Sequence, residues 1–350
     1  MKLLAIVQKV DINDDILGFI HSWIEKLAQK LDKLYIICLT EGEHHLPDNV
    51  KVYSLGKEKG YSKLRKLFLL QKFLLKHLPE VKGVFSHMCP IYAILAFPLT
   101  KMFKKRLVLW FAHYEKSLKL KVASTLSDIV VTSTRFAYPL ESSKLRVIGQ
   151  GIDVDKFKVK SEELKVDEKF KLLFLSRISP IKDLETLIEA LGILVNKKDI
   201  KDIHLDIVGS PSVASGDSEY YQKIKNSVKE LNLENFVSFK EKIPNYQTPD
   251  AYNSADLFVN LTRTGSFDKT TLEAMSCQTL VVVCNHVYKG VLPDYLIFNQ
   301  SNSQDLAGRI ENIINMSFKD REDIGKRLRE IIIKNHNLDN LAQRIIDSFK

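Results

Sequence analysis

Residues 264–275 read TGSFDKTTLEAM, and the stretches on either side decide the fold. DLFVNL (256–261) runs into this segment, and TLVVVC (279–284) follows it. Both flanks are short, continuous apolar runs, the pattern of strands covered on both faces. Between them, residues 262–268 form a polar loop, and a helix starts near Lys269 and carries Glu273. Strand, loop, helix and strand make one step of a parallel α/β winding. A loop that opens into a helix offers free backbone N–H groups and a positive dipole end, which suit phosphate. Glu273, one turn further on, is placed to accept hydrogen bonds from vicinal ribose hydroxyls. On spacing alone, an ordinary strand–loop–helix with a surface glutamate accounts for the segment equally well.

The same alternation extends outward. FKLLFLS (170–176), HLDIVG (204–209) and FVSF (236–239) read as strands, with helices expected over 184–195, 220–231 and 303–316. Before them, LLAIV (3–7), LYIICL (34–39), VKVYSL (50–55), GVFSH (83–87), RLVLWFAH (106–113), IVVTST (129–134) and LRVIG (145–149) read as a first strand series. Helices are expected there over 19–31 and 63–78. The fold class is therefore α/β, with two Rossmann-like doubly wound domains whose strand ends face a cleft, where such sheets bind ligands. The domains divide as 1–158, a charged linker at 159–169, and 170–335. Residues 336–350 read as a C-terminal helix able to pack back on the first domain.

Composition narrows the partners. The 350 residues include 52 Lys/Arg and 43 Asp/Glu, and the excess is local. Residues 51–150 hold 19 basic and 5 acidic side chains, whereas 1–50 hold 5 and 8, and 151–350 hold 28 and 30. An anionic partner for that stretch and a merely solvated face both account for this. Within it, KLRKLFLLQKFLLKHL (63–78) places Leu64, Leu67, Phe68, Leu74, Leu75 and Leu78 largely on one face, and Arg65, Lys72 and Lys76 on another. Such a helix suits an anionic membrane surface, and equally the buried flank of an α/β domain. The four cysteines form no CxxC pair, and no apolar run reaches the length of a membrane span. A reducing, cytoplasmic setting follows, peripheral at the inner membrane face if the basic stretch of 51–121 contacts lipid.

The central segment resembles the GT-B glycosyltransferases of the large retaining family 4, whose pattern is E-G-F-G-x-x-x-L-E-A-M-A-x-G before an apolar strand. Phe267, Leu272, Glu273, Ala274 and Met275 match in register. Glu273 takes the place of the glutamate that holds the nucleotide ribose. Gly265 stands where the family has its other glutamate, and Ser266 and Asp268 stand at glycine positions. The resemblance implies donor binding by Glu273, Gly265, Ser266, Phe267 and Leu272. It extends to LFLSRISPIKDLETLIEAL (173–191), where Arg177 and Lys182 fall on the two basic positions that clamp the donor diphosphate. His113 resembles the family histidine near the reacting sugars, with His87 a competitor. Gly18 matches the glycine loop near the donor phosphate.

The resemblance further implies a nucleotide-sugar donor, a glycan or lipid-linked acceptor, no metal or other cofactor, and front-face displacement in which the leaving diphosphate helps deprotonate the acceptor. Asp153 and Asp155 belong to a hinge match, GQGIDVDKF (149–157), and receive no metal role. Epimerase or phosphorylase chemistry on the same fold stays open, as does a non-catalytic nucleotide-sugar or nucleic-acid binder. No nucleic-acid partner is expected, since no RNA- or DNA-binding signature is present.

Overall fold

A computed structural model describes residues 1–159, 169–212, 216–263 and 265–350. Most of the expected linker (160–168) and Thr264 lie outside the described residues. The chain forms two compact units. One comprises Met1–Asp153, Pro244–Tyr246 and His336–Lys350, and the other Val154–Ile243 and Gln247–Asn335.

The first unit runs β1 (Lys2–Val10), α1 (Phe19–Ala28), β2 (Lys33–Glu41), β3 (Val50–Ser54), α2 (Lys63–His77), β4 (Gly83–His87), α3 (Pro90–Met102), β5 (Arg106–Trp110), α4 (Leu118–Leu126), β6 (Ile129–Thr132) and β7 (Leu145–Val147). Every pairing is parallel, in the order β3-β2-β1-β4-β5-β6-β7. The two-residue period of a strand sends alternate side chains to opposite faces. Leu3, Ala5 and Val7 of β1 therefore enter one core with α1, while Leu4 and Ile6 enter the other with α2, α3 and α4. Both faces are covered, which is why the central strands β1, β2, β4, β5 and β6 read as apolar runs.

The second unit runs β8 (Phe170–Leu175), α5 (Leu184–Gly192), β9 (Ile203–Val208), α6 (Asp217–Glu230), β10 (Val237–Lys240), α7 (Thr248–Ser254), β11 (Leu257–Asn260), α8 (Lys269–Ser276), β12 (Leu280–Val283), α9 (Ser303–Ile314) and α10 (Phe318–Asn335). Its parallel sheet has the order β10-β9-β8-β11-β12. The chain then breaks at His336 and Asn337 and closes with α11 (Leu338–Asp347), which packs against α1 in the first unit.

α2 corrects the sequence reading of residues 63–78. The six apolar residues expected on one face do not share it: Leu74 and Leu78, just after the helix, are buried, while Leu64, Leu67, Phe68 and Leu75 are 80%, 38%, 66% and 47% exposed. Leu70 supplies the inner stripe instead. The periodicity held two apolar stripes, and only one could pack on the sheet.

His336 gives the first unit a pH response. Burial, aided by the Arg344 charge, pulls its imidazole from 6.5 down to about 4. Below 6.5 the unfolded chain then binds more protons than the folded one. The stability is whole above pH 6.5 and declines by roughly 3 kcal/mol as the pH falls to about 4. Urea unfolding across that range should show a flatter acid limb for His336→Gln than for wild type. An identical limb would contradict the assignment.

Candidate functional site

The second sheet reverses its winding at β8, which lies between β9 and β11. Such a switch point leaves a crevice outside the carboxyl ends of the two strands, the usual ligand position in an open α/β sheet. The loop after β8 carries Arg177 and Lys182, and the loop after β11 carries residues 262–268. Gly209, at the end of β9, stands at φ 155°, and a Cβ there would lie 1.9 Å from the Ser176 carbonyl oxygen. Only glycine permits this approach, which presses the β9 end against the β8 loop.

Lys182 joins the two loops. Its Nζ donates to Thr262 Oγ1 at 2.9 Å and to Asp268 Oδ2 at 2.8 Å. Thr262 Oγ1 donates to the same Oδ2 at 2.8 Å, and Thr270 Oγ1 donates to Oδ1 at 3.0 Å. Burial acts to raise the Asp268 pKa, but the Lys182 charge and the hydrogen bonds from Lys182 and Thr262 outweigh it. The carboxyl is held well below the usual carboxylate range. A second link runs beside the first: Arg263 Nη2 donates to Asp183 Oδ2 at 2.5 Å, and Ser301 Oγ donates to that oxygen at 3.0 Å. Asp183 is buried and left-handed, at φ 48°. The β8 and β11 loops are thus tied together by two ion pairs, with the Lys182 and Arg263 cations each held by a carboxylate.

The other expected residues fall in different places. Arg177 is exposed, and its Nε lies 3.8 Å from Asp217 Oδ2. Gly265, Ser266 and Phe267 are half-buried in the loop. The Ser266 carbonyl accepts from Asn285 Nδ2 at 3.0 Å, and the Phe267 ring lies 5.1 Å from that of Tyr288. The Leu272 side chain is wholly buried in the core and has no surface to offer a ligand. Glu273 is 4% exposed, and its Oε2 accepts from the buried Tyr252 hydroxyl at 3.1 Å. Burial pushes the neighbouring Lys269 ammonium below its ordinary range, against the pull of Glu273 and with the Lys156 charge adding to the fall.

In the first unit the winding reverses at β1, between β2 and β4. Gly18 caps α1 just after β1, and a Cβ there would lie 2.4 Å from the Asp14 carbonyl oxygen. His87, at the end of β4, is 4% exposed and caged by Phe19, Trp23, Phe85 and Trp110. His113 is half-buried beyond β5 and stacks on Tyr114. Its Nδ1 accepts from the Glu115 N–H at 3.2 Å. In the neutral ring that bond leaves the proton on Nε2, which can donate to a hydroxyl. Sequence reasoning missed Thr262, Arg263, Asp183 and Tyr252, and it treated Asp268 only as a departure from a glycine. The signal available for Asp268 was a carboxylate at that glycine position.

Among the described residues, no group of three or more His, Cys, Asp or Glu side chains is arranged to hold a metal ion. No helix among them is long and apolar enough to cross a membrane.

The family model described as glycosyl transferases group 1 matches residues 144–331. Mannosylfructose-phosphate synthase of Agrobacterium fabrum is 29% identical over 156 residues, 43% of this chain and 34% of that protein. Alpha-monoglucosyldiacylglycerol synthase of Streptococcus pneumoniae is 27% identical over 204 residues, 54% of this chain and 44% of that protein. The matched region therefore spans less than half of either relative. Among solved structures, Anabaena Alr3699/HepE in complex with UDP superposes with a TM-score of 0.79 at 19% identity, covering 99% of each chain. Sucrose-phosphate synthase from Thermosynechococcus elongatus superposes with a TM-score of 0.75 at 17% identity, covering 100% of this chain and 98% of that one. These likenesses establish the two-sheet GT-B fold.

Proposed function

Because this chain belongs to the glycosyl transferases group 1 family, we propose that it moves a sugar, with retention, from a nucleotide sugar to a hydroxyl of a glycan or lipid-linked acceptor. The observation that carries this is the convergence of Lys182 on the 262–268 loop at the switch point of the second sheet. A fixed cation there can stabilise the charge that builds on a leaving diphosphate. Arg177 adds a second cation on the same loop, Gly265, Ser266 and Phe267 line the donor, and Glu273 receives the ribose. In the first unit, His113 orients a sugar hydroxyl through Nε2, and the loop before α1, which ends at Gly18, faces the donor phosphate. Catalysis is then positioning and charge stabilisation, with no protein nucleophile and no metal.

UDP is the favoured donor nucleotide, since Alr3699/HepE is known in complex with UDP-glucose. Release of UDP, GDP and ADP from their sugars, with and without lipid and glycan acceptors, tests the reading. Acceptor-dependent release of one nucleotide is expected. Sugar inversion without an acceptor, or release that requires inorganic phosphate, would favour an epimerase or a phosphorylase instead. Glu273→Gln keeps an oxygen for the Tyr252 hydroxyl but loses the charge. It should weaken binding of the donor nucleotide about tenfold in calorimetric titration, and unchanged affinity would remove Glu273 from the site.

A lipid-linked acceptor is favoured by the exposed stripe Leu64, Leu67, Phe68 and Leu75 on α2, which is bordered by exposed Lys63, Arg65, Lys72 and Lys76. Apolar residues rimmed by cations suit a peripheral position on an anionic leaflet, here the cytoplasmic one. Sedimentation with anionic vesicles should exceed that with neutral vesicles, and Phe68→Ser should reduce it. Equal binding to both vesicle types would contradict the contact.

A further inference from the structure

The ammonium of Lys182 has three N–H donors, and two of them are committed inside the chain. Nζ, Thr262 Oγ1 and Asp268 Oδ2 form a triangle with edges of 2.9, 2.8 and 2.8 Å. The threonine hydroxyl accepts from the ammonium and donates to the carboxylate, so its proton is fixed as well. The other carboxylate oxygen, Oδ1, takes the Thr270 hydroxyl at 3.0 Å. Both oxygens of Asp268 are therefore engaged within the protein. With three of its roughly four acceptor sites taken inside the protein, Asp268 has little left to offer a sugar in place of the carboxylate that Gly265 lacks.

We propose that Asp268 is a positioning residue: with Thr262 it fixes the Lys182 ammonium at the switch point of the second sheet and leaves it one N–H for the donor diphosphate. This rests on the glycosyltransferase reading above. Two opposed consequences follow from the charge. An anion beside the lysine lessens its pull on a diphosphate that is merely bound. A lysine already held in place stabilises the charge that develops as the diphosphate leaves, with no reorganisation at that moment. Asp268 thus favours turnover over nucleotide affinity. Removing its charge loosens Lys182 without weakening the hold on UDP, whereas loss of a purely structural residue would lower both together.

The test uses the full chain and the variants Asp268→Asn and Thr262→Val, the second keeping the shape but losing the hydroxyl. Steady-state kinetics with the donor that wild type turns over gives kcat and KM. Calorimetry gives the Kd for UDP, and a proton–nitrogen spectrum of the lysine ammonium groups reports on Lys182, assigned by its loss in Lys182→Arg. Both variants are expected to lower kcat by about tenfold or more, with the Kd for UDP tighter or within about threefold of wild type. The Lys182 ammonium signal should broaden or vanish in Asp268→Asn. Unchanged kcat in both variants, an equal fall in kcat and UDP affinity, or an unaltered Lys182 signal would each overturn the positioning role. Normal wild-type turnover with any of these results leaves the glycosyltransferase reading intact. A wild-type chain that turns over no nucleotide sugar overturns both.

Discussion

Lys182→Ala should lower kcat by about 10²–10³, a loss of roughly 3–4 kcal/mol of transition-state stabilisation. The substitution removes the charge that joins the β8 and β11 loops. It has a second effect, because Asp268 is then left mostly buried and unpaired, and breaking such a pair costs about 3–5 kcal/mol of stability. A single variant would confound the two. Lys182→Ala combined with Asp268→Ala separates them, since the double variant carries no orphaned charge. The melting temperature should fall in the single variant and recover in the double one, while transfer recovers in neither. Wild-type turnover in Lys182→Ala would remove the lysine from the mechanism. Recovered transfer in the double variant would reduce its role to neutralising Asp268.

Deletion of residues 336–350 should unfold the first unit. Leu338, Leu341, Ile345, Ile346 and Phe349 are each no more than 5% exposed, and all belong to the core that α1 and one face of the first sheet build. At about 1.5–3 kcal/mol for each buried side chain, their loss is on the order of 10 kcal/mol, comparable with the whole stability of a domain. The chain here is also tied by backbone. The Ile152 N–H donates to the His336 carbonyl at 2.8 Å, and the Leu338 N–H donates to the Ile152 carbonyl at 2.9 Å. Limited proteolysis of the shortened chain should cut throughout Met1–Asp153 while sparing Val154–Ile243 and Gln247–Asn335. An unchanged digestion pattern would show that the segment is dispensable.

Both predictions draw on features of different legibility. All twelve strands among the described residues could be read from the sequence: the central ones are buried and so are continuous apolar runs with polar ends, while the exposed edge strands β3 and β7 were legible from their short β-branched stretches. α3, α4 and α7 were not read as helices. α4 and α7 are short, and α3 has apolar residues on most sides and Pro98 within it, so it shows little periodicity. The two apolar stripes of α2 were merged into one face, since periodicity does not say which stripe meets the sheet. In the site, register alone placed Lys182 on its loop and Glu273 on α8. Their partners were not legible: Asp268 lies 86 residues from Lys182 and Arg263 lies 80 from Asp183, and only the parallel order β8-β11 brings these loops together. Leu272, matched by the same motif, has its side chain buried in the core.

Nucleotide binding by the intact chain tests the central claim most directly. Thermal unfolding should be followed with UDP, GDP and ADP and with their glucose conjugates, each at saturating concentration. A ligand at about 100 times its Kd adds roughly 2.7 kcal/mol of stability to the form that binds it. The account predicts a clear rise in melting temperature with UDP and UDP-glucose, and its loss in Lys182→Ala/Asp268→Ala. No shift with any nucleotide diphosphate or nucleotide sugar would contradict it.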